Sequence, residues 1–200
     1  MKKIILLCTI LMVSVITSAC INNLAIQELN NKAESYMDKG DTETAICRLK
    51  SSLDLDNEIF QTHYNLAVAY NTIGNYDGAI LEAKKVLELK PEFYDAYYII
   101  AVAKDSLAYA ELNTSNDNSS NENIGVSYAE FTVKAQDAID TYNKYLEFVP
   151  NAVETEKINS KIAELNEKIK EFASFNSSKP KEQSSENQSV TDENSAEEPQ

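Results

Sequence analysis

Two stretches of this chain, "SYMDKGDTETAI" at 35–46 and "YNTIGNYDGAI" at 70–80, overlay with an offset of 34 residues. Gly40 falls on Gly74, Tyr36 on Tyr70 and Ala45 on Ala79, and the match extends to Ala33 and Ala67, Leu53 and Leu87, and Leu55 and Leu89. A fixed period of this length means stacked copies of one supersecondary unit, none of which can bury its apolar face alone. The local chemistry says what the unit is. Gly74 permits the backbone turn that ends one helix, and Asn75 caps the next. Small Ala67 and Ala79 let the two helices approach closely with Tyr70 wedged between them. Pro91 then stops the second helix. Each copy reads as a helix end, a tight turn and a new helix start.

The 34-residue period with this pattern resembles the tetratricopeptide repeat, which implies that each unit is a pair of antiparallel helices. The second copy, 60–93, is nearly complete, with Leu66, Ala67, Tyr70, Gly74, Tyr76, Ala79, Leu87, Leu89 and Pro91 in place and His63 where the family prefers a bulky aromatic. The first copy, 26–59, departs further: Leu29 stands for the aromatic, Lys32 for Leu, Thr42 for Tyr and Asn57 for Pro. A third copy, 94–151, begins with Tyr97, Ile100 and Ala101 and resumes at Ala138, Tyr142, Leu146, Phe148 and Pro150. Lys104 and Ala138 stand 34 residues apart, where the equivalent Tyr70 and Ala79 stand 9 apart, so 25 residues are inserted, placed around 109–130. Within them "NTSNDNSSNEN", 113–123, reads as a flexible loop, and the rest lengthens the flanking helices. The insert is either tolerated drift, since long surface insertions cost little, or a partner contact. Residues 152–173 form one more helix, with Asn151 and Glu154 as a capping box. Ile158, Ile162, Leu165, Ile169 and Phe172 share one face, and Lys161, Glu164, Lys168 and Glu171 the outer one. The expected fold is all-α: a right-handed superhelical stack of about three helix pairs plus a C-terminal capping helix, near the minimum for such an array.

The ends of the chain lie outside this array. Residues 1–19 read as a leader, with Lys2 and Lys3 before an apolar stretch from Ile4 to Ile16, too short for the ~20 residues of a membrane span. It closes with "ITSAC", which resembles the lipobox of bacterial lipoproteins, with Thr17 where Leu is usual. The resemblance implies cleavage before Cys20, a multiply acylated Cys20, and an extracytoplasmic chain lipid-anchored to a bacterial membrane, the outer one if there are two. The alternative is an ordinary secretory leader cleaved after Ala19. Residues 20–25 are then a short linker of at most about 20 Å. From 174 to 200 the chain turns to Ser, Asn, Glu, Gln, Lys and Pro, which cannot offset the entropy of ordering, so an acidic disordered tail is expected, as spacer or as binding segment.

Catalytic chemistry has few residues to work with. His63 is the sole histidine and sits at a helix-packing position. Once Cys8 leaves with the leader and Cys20 is acylated, Cys47 is alone, expected as a partly buried idle thiol, so neither a disulfide nor a His/Cys metal cage is available. "DLDNE", 54–58, lacks the glycine and spacing of a calcium loop. No enzyme activity, metal or cofactor is predicted. A net charge of −14 repels polyanions, which argues against nucleic acid and gives no electrostatic help on anionic lipid.

Resemblance to the family implies a concave groove lined by the first helix of each pair. Its positions here are Gln27, Asn30, Glu34 and Met37; Gln61, Tyr64, Val68 and Asn71; and Asp95, Tyr98, Val102 and Asp105. Some family members grip a C-terminal carboxylate with groove lysines, arginines and asparagines. This set has no basic residue, so that mode does not carry over. Tyrosines flanked by valines suit an apolar or extended segment, and the acidic margin a neutral or basic one. The expected function is a membrane-anchored scaffold or adaptor that binds another envelope protein or peptide. The alternative is a surface-exposed lipoprotein with a coat or host-contact role.

Overall fold

The computed structural model describes residues 22–115 and 121–177. They form seven helices and no strand: α1 (22–38), α2 (Thr42–Leu55), α3 (Phe60–Thr72), α4 (Tyr76–Leu89), α5 (Asp95–Ser115), α6 (Asn121–Phe148) and α7 (Thr155–Ser177). The two matched turns are built alike. Gly40 and Gly74 adopt φ of +78° and +77°, the left-handed region that glycine enters without a Cβ penalty. The Asp41 N–H donates to the Tyr36 carbonyl and the Gly40 N–H to the Met37 carbonyl; Asn75 and Gly74 do the same to Tyr70 and Asn71. This pair of bonds satisfies carbonyls that a helix C-terminus leaves open. The next residue already caps the following helix: Asp41 accepts from the Thr44 N–H at 3.2 Å, and Asn75 from the Gly78 N–H at 3.1 Å. Each reversal therefore needs only three residues.

Successive helices pack antiparallel, and the stack curves. The backbones of α3 and α5 approach closely, whereas those of α4 and α6 stay apart. Between them, Asp77, Lys84, Lys104 and Asp137 rim an open gap of about 320 Å³ over α5. The inner side of the bend is therefore the side of α3 and α5. Alanines make the close approaches possible: Ala33, Ala45, Ala67, Ala79, Ala83 and Ala101 are all fully buried. Tyr70 packs against both the core of the first helix pair and that of the second.

Polar residues also work inside the stack. Asn30 on α1 donates to the hydroxyls of Ser52 (3.0 Å) on α2 and Thr62 (2.9 Å) on α3, and accepts from Asn65 at 3.1 Å. Ser52 and Thr62 are fully buried. His63, on α3, is buried with Nδ1 2.6 Å from a Glu82 carboxylate oxygen and Nε2 2.9 Å from the Asn57 carbonyl. It ties the turn after α2 to α4, a task the bulky aromatic expected at this position cannot perform.

The third pair departs most from expectation. α5 has 21 residues and α6 has 28, against 13 and 14 for α3 and α4, so most of the insertion is helix. Residues 113–115 and 121–123, expected in a loop, are helical, and 116–120 lie outside the described residues. The added turns carry their own aromatic core. Phe131 is fully buried, Tyr109 meets it edge-on at 5.4 Å, Phe172 of α7 at 5.1 Å, and Tyr128 stacks on Phe172 at 4.0 Å. α7 begins at Thr155 rather than after Asn151, because Glu154 supplies the first turn's acceptor to the Ile158 N–H at 2.8 Å. It continues through 174–177, expected as tail, and α1 includes 22–25, expected as linker. The leader, Cys20 and residues 178–200 lie outside the described residues.

Candidate functional site

The groove positions named from the sequence divide into three kinds. Gln27, Glu34, Gln61 and Asp95 are exposed on the helix surface. Met37, Tyr64, Val68, Tyr98 and Val102 are half-buried against the three cores. Asn30 is a correction: its amide is committed to Ile26, Ser52, Thr62 and Asn65 inside the stack, so it is not offered to a ligand. Asn71 and Asp105, one period apart, each carry a buried side-chain oxygen without a hydrogen-bond partner among the described residues. Native structures hold few such atoms.

Around the middle of the inner face the aromatic residues converge. Phe93 meets Tyr64 edge-on at 5.0 Å and Phe60 at 5.2 Å, while Tyr98 lies 5.5 Å from Tyr145 and 6.3 Å from Tyr142 on α6. Burial raises the Tyr64 hydroxyl pKa, and the carboxylates of Asp95 and Glu154 add to the shift. The same two carboxylates act on Tyr145 after its own burial, so tyrosines and acids share one patch. Such a patch offers apolar area, phenolic donors and negative charge together.

Beyond it, α5 and α7 diverge and leave a cleft of about 370 Å³. Tyr98, Val102 and Asp105 form one wall, Tyr142 of α6 the floor, and Lys157, Ile158, Lys161 and Glu164 of α7 the other wall. The helices are bridged by side chains: the Tyr109 hydroxyl donates to Glu164 at 2.6 Å, and Lys161 lies 3.6 Å from Asp105. Lys161 and Glu164 were expected on the outer face of the cap; they sit on its flank and turn toward α5. Asp105 is 7% exposed, and burial pushes its carboxyl above the usual carboxylate range, opposed by Lys161 and reinforced by Glu164. Burial, then Asp105 and Tyr98, raises the Tyr142 hydroxyl pKa. Nothing in the helical period marks Lys161 as an inward residue; its spacing from Glu164 reads as an ordinary surface pair.

Residues considered for other chemistry have structural roles. Asp56 in "DLDNE" accepts from the Glu58 N–H at 2.9 Å in a local turn. Cys47 is exposed rather than partly buried, because it lies on the outer side of α2 between buried Ile46 and Leu49. Among the described residues, no group of three His, Cys, Asp or Glu is placed to hold a metal ion.

Residues 60–93 match the tetratricopeptide-repeat family model. No curated protein sequence matches the chain. Among solved structures it is similar to the first TPR domain of human RPAP3, with TM-score 0.55 and 17% identity over 74% of this chain and 95% of that one. It is also similar to the TPR2B domain of yeast Sti1 in complex with pHsp70, at TM-score 0.52 and 17% identity over 72% and 98%. The Arabidopsis OM64 TPR domain aligns at TM-score 0.54 and 14% identity, over 73% and 98%. Likeness at these identities is a likeness of fold. Residues 60–93 carry the tetratricopeptide-repeat pattern, and the helical stack around them has the fold of tetratricopeptide-repeat domains.

Proposed function

We propose that this chain is a membrane-tethered adaptor of the bacterial cell envelope, holding a segment of another protein on the face made by α3, α5 and α7, and that it is not an enzyme. The observation that carries the reading is the patch of half-buried Tyr64, Phe93 and Tyr98, backed by buried Tyr145 and edged by Asp95 and Glu154, on the inner side of the bend. Rigid aromatic side chains give large contact area at low entropic cost, and carboxylates at the rim orient a neutral or basic segment. The fold is one in which similar domains engage peptides: the yeast Sti1 domain is in complex with pHsp70, and the first TPR of Spaghetti is bound to an HSP90 peptide, SRMEEVD. That peptide is acidic, whereas the patch here is acidic itself, so this chain's segment differs in charge.

Tethering is supported by the leader and "ITSAC" ending at Cys20, which supply a lipid site. Among the described residues no helix is long and apolar enough to cross a membrane. The test is photocrosslinking in cells from Tyr64, with the exposed Leu81 of α4 as control. A discrete adduct from Tyr64 alone is expected, and mass spectrometry identifies it. Equal, diffuse products from both positions overturn the adaptor reading.

A further inference from the structure

The large apolar side chains that stand exposed are unevenly placed. Among the described residues, Leu24, Leu55, Phe148 and Val153 gather at one end of the stack. Leu24 lies near the start of α1, Leu55 and Phe148 end α2 and α6, and Val153 sits in the α6–α7 loop. Contacts between helices bring these places together. Asn30 of α1 bonds Ser52 near the end of α2 and Thr62 near the start of α3, so the turns of α1 before Asn30 run out to that end. Lys90, just after α4, lies over the Phe60 ring at 4.4 Å, and Phe60 meets Phe93, just before α5, at 5.2 Å. Tyr94, also before α5, stacks on Phe148 at 4.4 Å. The opposite end, with the Gly40 and Gly74 turns, exposes Ile73, while Leu81 and Val133 lie part-way along α4 and α6. A single exposed apolar residue is ordinary, so it is their placement that carries meaning.

That end is also where the chain meets its lipid site. Cys20 stands two residues before the start of α1, a reach of at most about 7 Å. A lipid on Cys20 therefore holds this rim of the stack against the bilayer. One point of attachment leaves the stack free to pivot. Phe148 and Val153, the latter 96% exposed, stand on the far side of the rim, after the third helix pair, where a second contact stops the pivot. Apolar and aromatic side chains on a protein's rim settle at the boundary of headgroups and acyl chains.

Charge selects the lipid. The three loops of this rim, 56–59, 90–94 and 149–154, carry Asp56, Glu58, Glu92 and Glu154 against Lys90 alone. Such an excess repels anionic headgroups and is compatible with the ammonium of zwitterionic ones.

We propose that this rim rests on the bilayer as a second, reversible contact, with Phe148 and Val153 among the headgroups of zwitterionic lipid. The inference rests on the tether at Cys20 in the proposed function. The acyl chains hold the protein, and the rim sets its orientation. Tyr64 and Tyr98 lie four and three residues from the rim ends of α3 and α5, a rise of no more than about 6 Å. The segment held on the inner face is then a juxtamembrane segment of a membrane protein.

The sequence has no tryptophan, so a single introduced one reports without background. The test places the full-length acylated chain in phosphatidylcholine vesicles, with Val153→Trp on the rim and Ile73→Trp at the opposite end. Both variants carry the same added affinity of tryptophan for the interface, and both sites are exposed. Quenching by phosphatidylcholine brominated on its acyl chains, with a blue-shifted emission, is expected for Val153→Trp and not for Ile73→Trp. Adding phosphatidylglycerol is expected to reduce that quenching. Absent quenching at Val153→Trp, or equal quenching at both sites, overturns the proposal. Quenching that strengthens with phosphatidylglycerol also overturns it, because the contact would then be cationic. Mass spectrometry of the same chain reads the tether separately. An acylated, vesicle-bound chain with an unquenched Val153→Trp sinks the rim contact and leaves the tether standing; an unmodified Cys20 removes both.

Discussion

At the scale of single residues, the stack separates polar groups that are satisfied from two, on Asn71 and Asp105, that are not. Asn30, Ser52, Thr62 and Asn65 close a network in which each member has a partner. Satisfied networks of this kind rigidify a core and specify one register. Asp105 differs, with one oxygen unpaired and a carboxyl whose pKa burial raises, Lys161 opposing and Glu164 adding. The charged and titratable groups that line the cleft with it are Lys157, Lys161 and Glu164 from α7, Tyr142 from α6 and Tyr98 on its own helix. Because the folded chain holds this proton more tightly than the unfolded chain, the contribution is stabilising below the ordinary carboxylate pKa of about 4 and is lost as pH rises through the higher folded value. Asp105→Asn cannot ionise. It is expected to be more stable than the parent at pH 7, with the difference shrinking toward pH 4, in urea unfolding followed by circular dichroism. A less stable Asp105→Asn at pH 7 would mean that the Lys161 pair outweighs burial.

At the scale of elements, the lengthened α5 and α6 and the long α7 form a second storey above the repeat. The aromatic residues Tyr109, Tyr128, Phe131 and Phe172 hold it together. A stack is stabilised by neighbour contacts, so damage here should stay local. Phe172→Ala removes a side chain that is 6% exposed and touches both Tyr128 and Phe131. We expect a loss of about 3–5 kcal/mol in the unfolding of this region. Hydrogen exchange should show lost protection in α7 and the distal turns of α5 and α6, with α3 and α4 unaffected. A uniform loss along the chain would make the protein one cooperative unit.

The repeat itself was legible because a positive-φ glycine followed at once by a capping residue is written in the sequence at Gly40–Asp41 and Gly74–Asn75. The apolar face of α7 was legible from period alone, and Ile158, Leu165 and Phe172 are buried. The start of α7 was not, because Asn151 and Glu154 satisfy a capping-box spacing although the chain takes one more turn before Thr155. The helical ends of the insertion were hidden by a run of Ser and Asn, whose local preference for turns yields to packing by flanking aromatics. The cleft was hidden for a different reason. Helical period sorts residues into apolar and polar faces, whereas Lys161 and Glu164 lie on the flank, where a charged side chain serves solvent or a facing helix with no difference in pattern.

At the scale of the whole molecule, charge and curvature pull the function in one direction. A net charge of −14 repels anionic lipid and polyanions, and the inner face adds carboxylates to an aromatic patch. Under the proposed function the protein must nevertheless stay at a membrane, so some other term must hold it there. Among the described residues no helix is long and apolar enough to cross a bilayer; under the proposed function the holding term is the lipid proposed on Cys20. Two or more acyl chains hold a protein stably, whereas a single chain binds only reversibly. Cys20→Ser removes the acceptor without touching any described residue. The variant is expected to leave the membrane fraction at both low and high salt, while the parent stays bound after a high-salt wash. Its Tyr64 adduct should weaken because tethering raises the local concentration of a membrane-bound partner. If the variant stays bound at low salt and leaves only in high salt, the attachment is electrostatic and the acyl anchor is wrong. If it resists both washes, the apolar stretch from Ile4 to Ile16 holds the chain instead.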